Sequence, residues 1–213
     1  MDRHARPRPF HRLGLDHVFL DINTFARHAG WLHGPVKVYA NDGIALFAVL
    51  LLVNWWTARN RATTAAMVAA VWAPIGMLAA VAINQPIVAA VDETRPYASL
   101  SNILVLAQRT TDPSFPSDHA TMAGAVTAGL LIANRRLGLI SAAAAALMAL
   151  SRVYIGAHYP QDVLAGLALG ALIGAGGYYL TRRPLTALIR YLAGTRLRPL
   201  LTAVSAPETT VAS

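Results

Sequence analysis

SRVYIGAHYPQD, residues 151–162, closes one apolar block and opens the next. FPSDH, residues 115–119, does the same at the head of an earlier block. The first stretch sets Ser151, Arg152, His158 and Asp162 at the seam. The second sets Ser117, Asp118 and His119 at the mouth of a helix-forming run, because Pro116 followed by Ser117 is a helix-start signal. Two histidines, arginines and a carboxylate are thereby placed at the ends of apolar segments, not within a soluble core. The blocks around them decide the fold class: all-α, a polytopic membrane helical bundle.

The 213 residues fit one domain and are 55% hydrophobic and only 13% charged. Soluble domains carry about 25% charged residues, and near-charge-free blocks of this length belong to a bilayer. There is no cysteine, which excludes disulfides, a thiolate nucleophile and a thiolate metal site. The net charge of +8 comes from 17 arginines and Lys37. The arginines cluster just beyond apolar blocks, which favours lipid headgroups over nucleic acid. Ala- and Arg-rich, Lys-poor usage points to a GC-rich bacterial genome. No removable signal peptide is read at the basic N-terminus.

Three regions follow. Residues 1–39 form a basic, disordered tail and an interfacial amphipathic segment, with Leu15, Val18, Phe19, Ile22, Phe25 and Ala26 on one face and Asp16, Asp21, Asn23 and Arg27 interrupting it. Residues 40–183 form the membrane domain, with spans expected at 40–58, 64–91, 117–134, 137–155 and 160–180. A sixth crossing arises if residues 15–39 also span. Pro74 is an expected kink in the second span. Gly166, Gly170 and Gly174 make a ladder for close helix packing. Residues 184–213 comprise a basic tail helix over 184–198 and a disordered end. Arg59 and Arg61, Arg135 and Arg136, and Arg182 and Arg183 all fall on one side. By the positive-inside rule that side is cytoplasmic, and the 92–116 loop and the 151–162 segment share the outer face.

The polar residues are open to several readings. His158 and Asp162, four apart, make either a structural pair between two spans or a nucleophile whose tautomer a carboxylate fixes. A metal pair is disfavoured, because no third and fourth ligand follow at helical spacing. Arg152 is either a snorkelling cation or a phosphate fork. Pro96 keeps Arg95 out of helical conformation, on a positioned loop. Ser117 is either a plain helix cap or an anion contact at a helix N-terminus. His119 is placed to protonate a departing oxygen. Asp92, Glu93, Asp112 and Asp118 are either solvated loop charges or partners of Arg95 and Arg109. The histidines at 4, 11, 17, 28 and 33 read as surface or interface residues.

Ser151-Arg152, five residues, His158, three residues and Asp162 resemble the third motif, SRx5Hx3D, of the type 2 phosphatidic acid phosphatase (PAP2) superfamily. Pro116 to His119 resemble its second motif, PSGH, with Asp118 in place of Gly. Arg95-Pro96 resemble the end of the first motif, Kx6RP, whose Lys falls on Val88. FPSDH, a first motif without its Lys, and DINTFARHAGWL are similar to the bacterial undecaprenyl-diphosphatase branch. The resemblance implies a PAP2/haloperoxidase-like helical core. It also implies metal-independent phosphoryl transfer through a phosphohistidine, with no cofactor. His158, His119 and Asp162 are then catalytic, and Arg95, Arg152, Ser117 and Asp118 make the phosphate site.

The implied substrate is a lipid-linked phosphate among membrane lipids. Hydrolysis of a polyprenyl diphosphate to the monophosphate leads, at the outer face of the bacterial plasma (inner) membrane, in the recycling of a cell-wall carrier lipid. The alternatives are a phosphatidic acid or phosphatidylglycerophosphate phosphatase, and a non-catalytic lipid-phosphate-binding protein. Partner proteins are unspecified. A reporter fused after Arg136 is expected to read as cytoplasmic, and an external signal would overturn this topology.

Overall fold

The computed structural model describes residues 15–203. The expected basic tail over residues 1–14 and most of the expected disordered end lie outside them. The described residues are helical, with no strand among them: α1 (Asp16–His28), a 3-10 turn (Gly30–Leu32), α2 (His33–Asp42), α3 (Ile44–Arg61), α4 (Thr64–Val91), α5 (Pro96–Ser99), α6 (Asp118–Ala133), α7 (Arg135–Tyr154), α8 (Pro160–Ala193) and α9 (Arg198–Leu201). The boundaries have local causes. The Thr63 hydroxyl accepts from Ala66 N–H to start α4. Asn134 Oδ1 accepts from Arg136 and Leu137 N–H to start α7. Pro160 opens α8 at its first turn, where its missing N–H costs nothing.

α6 is the centre of the bundle, and α3, α4, α7 and α8 all pack on it. Its alanines and glycines let neighbours approach closely. A Cβ on Gly166 would lie 2.7 Å from the Ser117 carbonyl oxygen, and one on Gly174 would lie 2.7 Å from that of Ala125. One on Gly170 would overlap the Thr121 carbonyl. The ladder therefore packs α8 against the backbone of α6. Trp72 Nε1 on α4 donates to Gly174 O at 2.7 Å and ties the third helix to the same seam. Phe47, Leu50, Met122, Val126, Leu130 and Met148 fill the adjoining core.

Two helices run differently from the expectation. The first span is broken: α2 ends at Asp42, α3 begins at Ile44, and the two are bent by 53°. Gly43 sits at the break, where a Cβ would come within 2.9 Å of Met148 Cε. The fifth span and the tail helix are one 34-residue helix, α8, with Pro184 inside it. The helix continues because Ile189 and Leu185 beyond Pro184 pack on Met67, Val68 and Ala58. Tertiary burial outweighs the bond that proline forfeits. Thr181 and Thr186 hydroxyls bond carbonyls four residues back on either side of it.

Among the described residues, three helices qualify as membrane spans by length and composition, or four if the bent pair is one span, against the five to six expected. α6 falls below the mark with 16 residues, about 24 Å at 1.5 Å per residue. It is sheathed by its neighbours, so it needs no full lipid-facing length.

The bundle has two distinct ends. At one, Arg61 donates to Ala133 O at 3.3 Å and Arg59 to Pro199 O at 2.6 Å, so the expected arginine clusters share that end. At the other lie the end of α4, the start of α6, the end of α7 and the start of α8. α1 docks at this second end, burying Phe19 against Tyr159, Val153 and Ala149. Its buried face is Phe19, Asn23 and Ala26, while Phe25 is exposed. Asn23 was read as an interruption, yet it is buried because it exchanges two bonds with Leu104. Nδ2 donates to the carbonyl at 2.8 Å and Oδ1 accepts from the N–H at 2.9 Å.

Gly170→Leu should cost at least 1–3 kcal/mol, the usual range for an overpacked core, because no flexible neighbour can yield to it. A lowered melting temperature in detergent checks this; unchanged melting would mean that the α6–α8 seam is loose.

Candidate active site

A cavity of about 800 Å³ opens at the second end, with Arg95, Asp118, His119, Arg152, His158 and Val88 among its lining residues. Five segments bring them together: the end of α4 (Val88), the residue before α5 (Arg95), the start of α6 (Asp118 and His119), the end of α7 (Arg152) and the turn after it (His158). His158 lies in the turn between α7 and α8. Gly156 shapes that turn at φ +77°, a left-handed position where a Cβ would also crowd the Leu104 carbonyl at 2.9 Å. The Ile155 carbonyl accepts from both Leu106 and Ala107 N–H at 3.0 Å, which straps the 100–107 segment over the turn.

His158 is buried, and its two ring nitrogens have different partners. Nδ1 lies 2.8 Å from the Ser114 carbonyl oxygen. A carbonyl only accepts, so Nδ1 carries the hydrogen and Nε2 keeps its lone pair. Nε2 faces Arg95 Nη1 at 3.3 Å and Arg152 Nη2 at 3.5 Å. Burial, reinforced by the guanidiniums of Arg152 and Arg95, holds His158 well below the usual imidazole range. The result is a neutral imidazole with a bare nitrogen aimed between two cations.

The Asp162 carboxylate is fully buried and lies 3.5 Å from His158 Nδ1. Its direct bond is Oδ2 to Tyr159 N–H at 2.9 Å, inside the first turn of α8. The expected His–Asp contact is thus present at longer range, and the tautomer is set by a backbone carbonyl of the loop. The Asp162 carbonyl also accepts from Ser117 N–H at 3.1 Å, joining the two motif segments.

Both arginines are anchored by carbonyls. Arg95 is extended at ψ 152°, as the following proline demands, and donates to Asp112 O at 2.8 Å and Ala157 O at 3.2 Å. Arg152 donates to Ala40 O at 3.2 Å, so the broken α2 segment helps place it. These bonds leave the guanidinium forks oriented toward the cavity. His119, in the first turn of α6, lines the cavity and makes no hydrogen bond among the described residues. Ser117 occupies the α6 N-cap, buried, with its hydroxyl unpartnered among the described residues. Asp118 pairs with neither Arg95 nor Arg109. Its Oδ1 accepts from Asn84 Nδ2 at 2.6 Å and Gln85 Nε2 at 2.9 Å.

Sequence reading missed Ser114 and the carbonyls of Ala40, Asp112 and Ala157, whose roles are carried by backbone and leave no residue signature. It also missed Asn84 and Gln85. Their signal was there: two adjacent amides inside the apolar 64–91 run. Among the described residues, no group of three or more His, Asp or Glu side chains is arranged to hold a metal ion.

The chain that builds this cavity is similar to known proteins in sequence and in fold. The PAP2 superfamily profile matches residues 69–185, more than half of the chain. Undecaprenyl-diphosphatase BcrC of Bacillus subtilis is 29% identical over 157 residues, covering 74% of this chain and 79% of that protein. Decaprenylphosphoryl-5-phosphoribose phosphatase of Mycobacterium tuberculosis is 49% identical over 63 residues, 29% of this chain and 34% of that one. In structure, the PAP2-type phosphatidylglycerolphosphate phosphatase of B. subtilis superposes with a TM-score of 0.59 at 20% identity, over 80% of this chain and 89% of the other. The chain belongs to the PAP2 superfamily of membrane lipid phosphatases.

A His158 held neutral keeps its lone pair until the pH falls well below the ordinary imidazole value of 6.5. The acidic limb of kcat/KM should therefore lie well below that value. A limb centred on it would show that His158 titrates as a free imidazole.

Proposed function

We propose that this chain hydrolyses a polyprenyl diphosphate of the undecaprenyl type to the monophosphate and phosphate. The observation that carries the reading is the His158 Nε2 lone pair, presented to the cavity between Arg95 and Arg152. Nε2 attacks the terminal phosphorus, and the bond from that phosphorus to the bridging oxygen breaks. Arg95 and Arg152 hold the equatorial oxygens, with Ser117, Asp118 and the N-terminus of α6 beside them. His119 gives its proton to the departing lipid phosphate. It then takes one from water, which attacks the phosphohistidine and restores Nε2. Through both steps Nδ1–H stays bonded to Ser114 O, and Asp162 sits behind the ring to offset its developing charge. Catalysis on this scheme is positioning and charge stabilisation, and it calls for no metal.

The diphosphate is favoured by the relative named for that substrate, which the chain matches over most of both lengths. The arginines at the opposite end support, by the positive-inside rule, an orientation with that end in the cytoplasm. The site then faces the extracytoplasmic side of the bacterial inner membrane.

Phosphate release by the purified protein in EDTA tests the scheme, with undecaprenyl diphosphate, phosphatidic acid and phosphatidylglycerophosphate as substrates. The diphosphate should be preferred. His158→Ala should abolish release, and Arg152→Ala should lower kcat by about 10²–10³, the usual cost of one transition-state donor. Full activity in His158→Ala would sink the nucleophile assignment, and preference for a glycerolipid would replace the substrate.

A further inference from the structure

A carboxylate is out of place in an anion site, yet Asp118 is built into this one. It lines the same cavity as Arg95, Arg152, His119 and His158. Its Oδ1 is pinned by two amides of α4, and one of these, Asn84, is fully buried and also bonds Pro116 O at 3.1 Å. No cation among the described residues pairs with it: Arg95 is turned to Asp112 O and Ala157 O, and Arg152 to Ala40 O. Val88, on the next turn of α4, adds an apolar patch to the wall where a cation could have offset the charge. A buried amide and its neighbour thus fix a carboxylate that forms no ion pair among the described residues, on the wall of the cavity that the arginines line.

Two oxygen anions approach to hydrogen-bond distance only with a proton between them, and an O–H···O⁻ bond of that kind is short and strong. We propose that Asp118 makes the cavity selective for a protonated phosphate, its carboxylate accepting a hydrogen bond from a P–OH group while Arg95 and Arg152 hold the ionised oxygens. The fully ionised group is held off by the same charge. This rests on the reading of the cavity as a phosphate site and supplies its selectivity. Asp118 thereby becomes a substrate-binding residue that works through a proton, and Asn84 the positioning residue that aims it.

A short-chain alkylphosphonate is a suitable probe, because its C–P bond resists hydrolysis and its single P–OH is lost on the second ionisation. Its binding to the detergent-solubilised chain can be followed by calorimetry, without turnover, at about pH 5 and about pH 8.5. These values lie on either side of that ionisation, the counterpart of the one at about 6 in phosphate monoesters. The other titratable or charged groups on this cavity are His119, His158, Arg95, Arg152 and Asp112. They are common to wild type and Asp118→Asn, so the difference between the two proteins isolates residue 118. Wild type should bind about tenfold or more weakly at the higher pH. Asp118→Asn, whose amide oxygen can still accept from Asn84 and Gln85, should lose most of that difference and bind the dianion at least about tenfold tighter than wild type. Asp118→Ser serves as a second variant should the first melt early.

Parallel pH curves in wild type and variant overturn the inference, as does absence of phosphonate binding by wild type at both pH values. An inactive protein that still shows the pH difference would retain it and sink the hydrolytic reading. An active protein with parallel curves would do the reverse.

Discussion

The contact between α6 and α8 at Gly166, Gly170 and Gly174 is the constraint on which the site depends. α6 begins one residue before His119, and α8 begins two residues after His158. Letting the two backbones touch brings these starts to the same level of the bundle. Asp162 in the first turn of α8 can then accept, through its carbonyl, from the N–H that precedes α6. A wider spacing would separate the second and third motif segments and leave each as an isolated helix start. In lipid, with no hydrophobic drive between helices, such backbone contact is one of the few cohesive resources available.

The second layer of order is carbonyl oxygens. Ser114 fixes the His158 ring, Asp112 and Ala157 hold Arg95, and Ala40 holds Arg152. Backbone acceptors suit this purpose. They carry no formal charge to cancel the guanidiniums, and they cannot be protonated or rotate away. The cations therefore reach the cavity positioned but not neutralised, which is the state an anion site needs. Asp118 is the exception, a full negative charge, and it is held by neutral amides for the same reason.

The sequence made some of this legible and hid the rest for identifiable reasons. α4 runs from Thr64 to Val91 as read, because Thr63 caps its start and the apolar run ends in charges. The seven residues assigned to the site all fall at one end of the bundle, since spacing at helix ends survives folding unchanged. The break at Gly43 and the continuity of α8 through Pro184 were not legible. Glycine and proline report local preference, while Met148 at one place and Ile189 at the other decide by tertiary contact. Asn23 was misread for a related reason. An apolar-face count treats an amide as an interruption, although a buried loop backbone needs just such a partner.

That amide has a consequence for where this protein begins as a folding unit. The family resemblance starts at residue 69, but the strap over the His158 turn is latched to Asn23, and one arginine is held from residue 40. The recognisable core is smaller than the cooperative one. A minimal version cut at the family boundary would retain the side chains of both motifs and lose the walls that aim them. The segment from α1 to α2 is better understood as the far wall of the cavity.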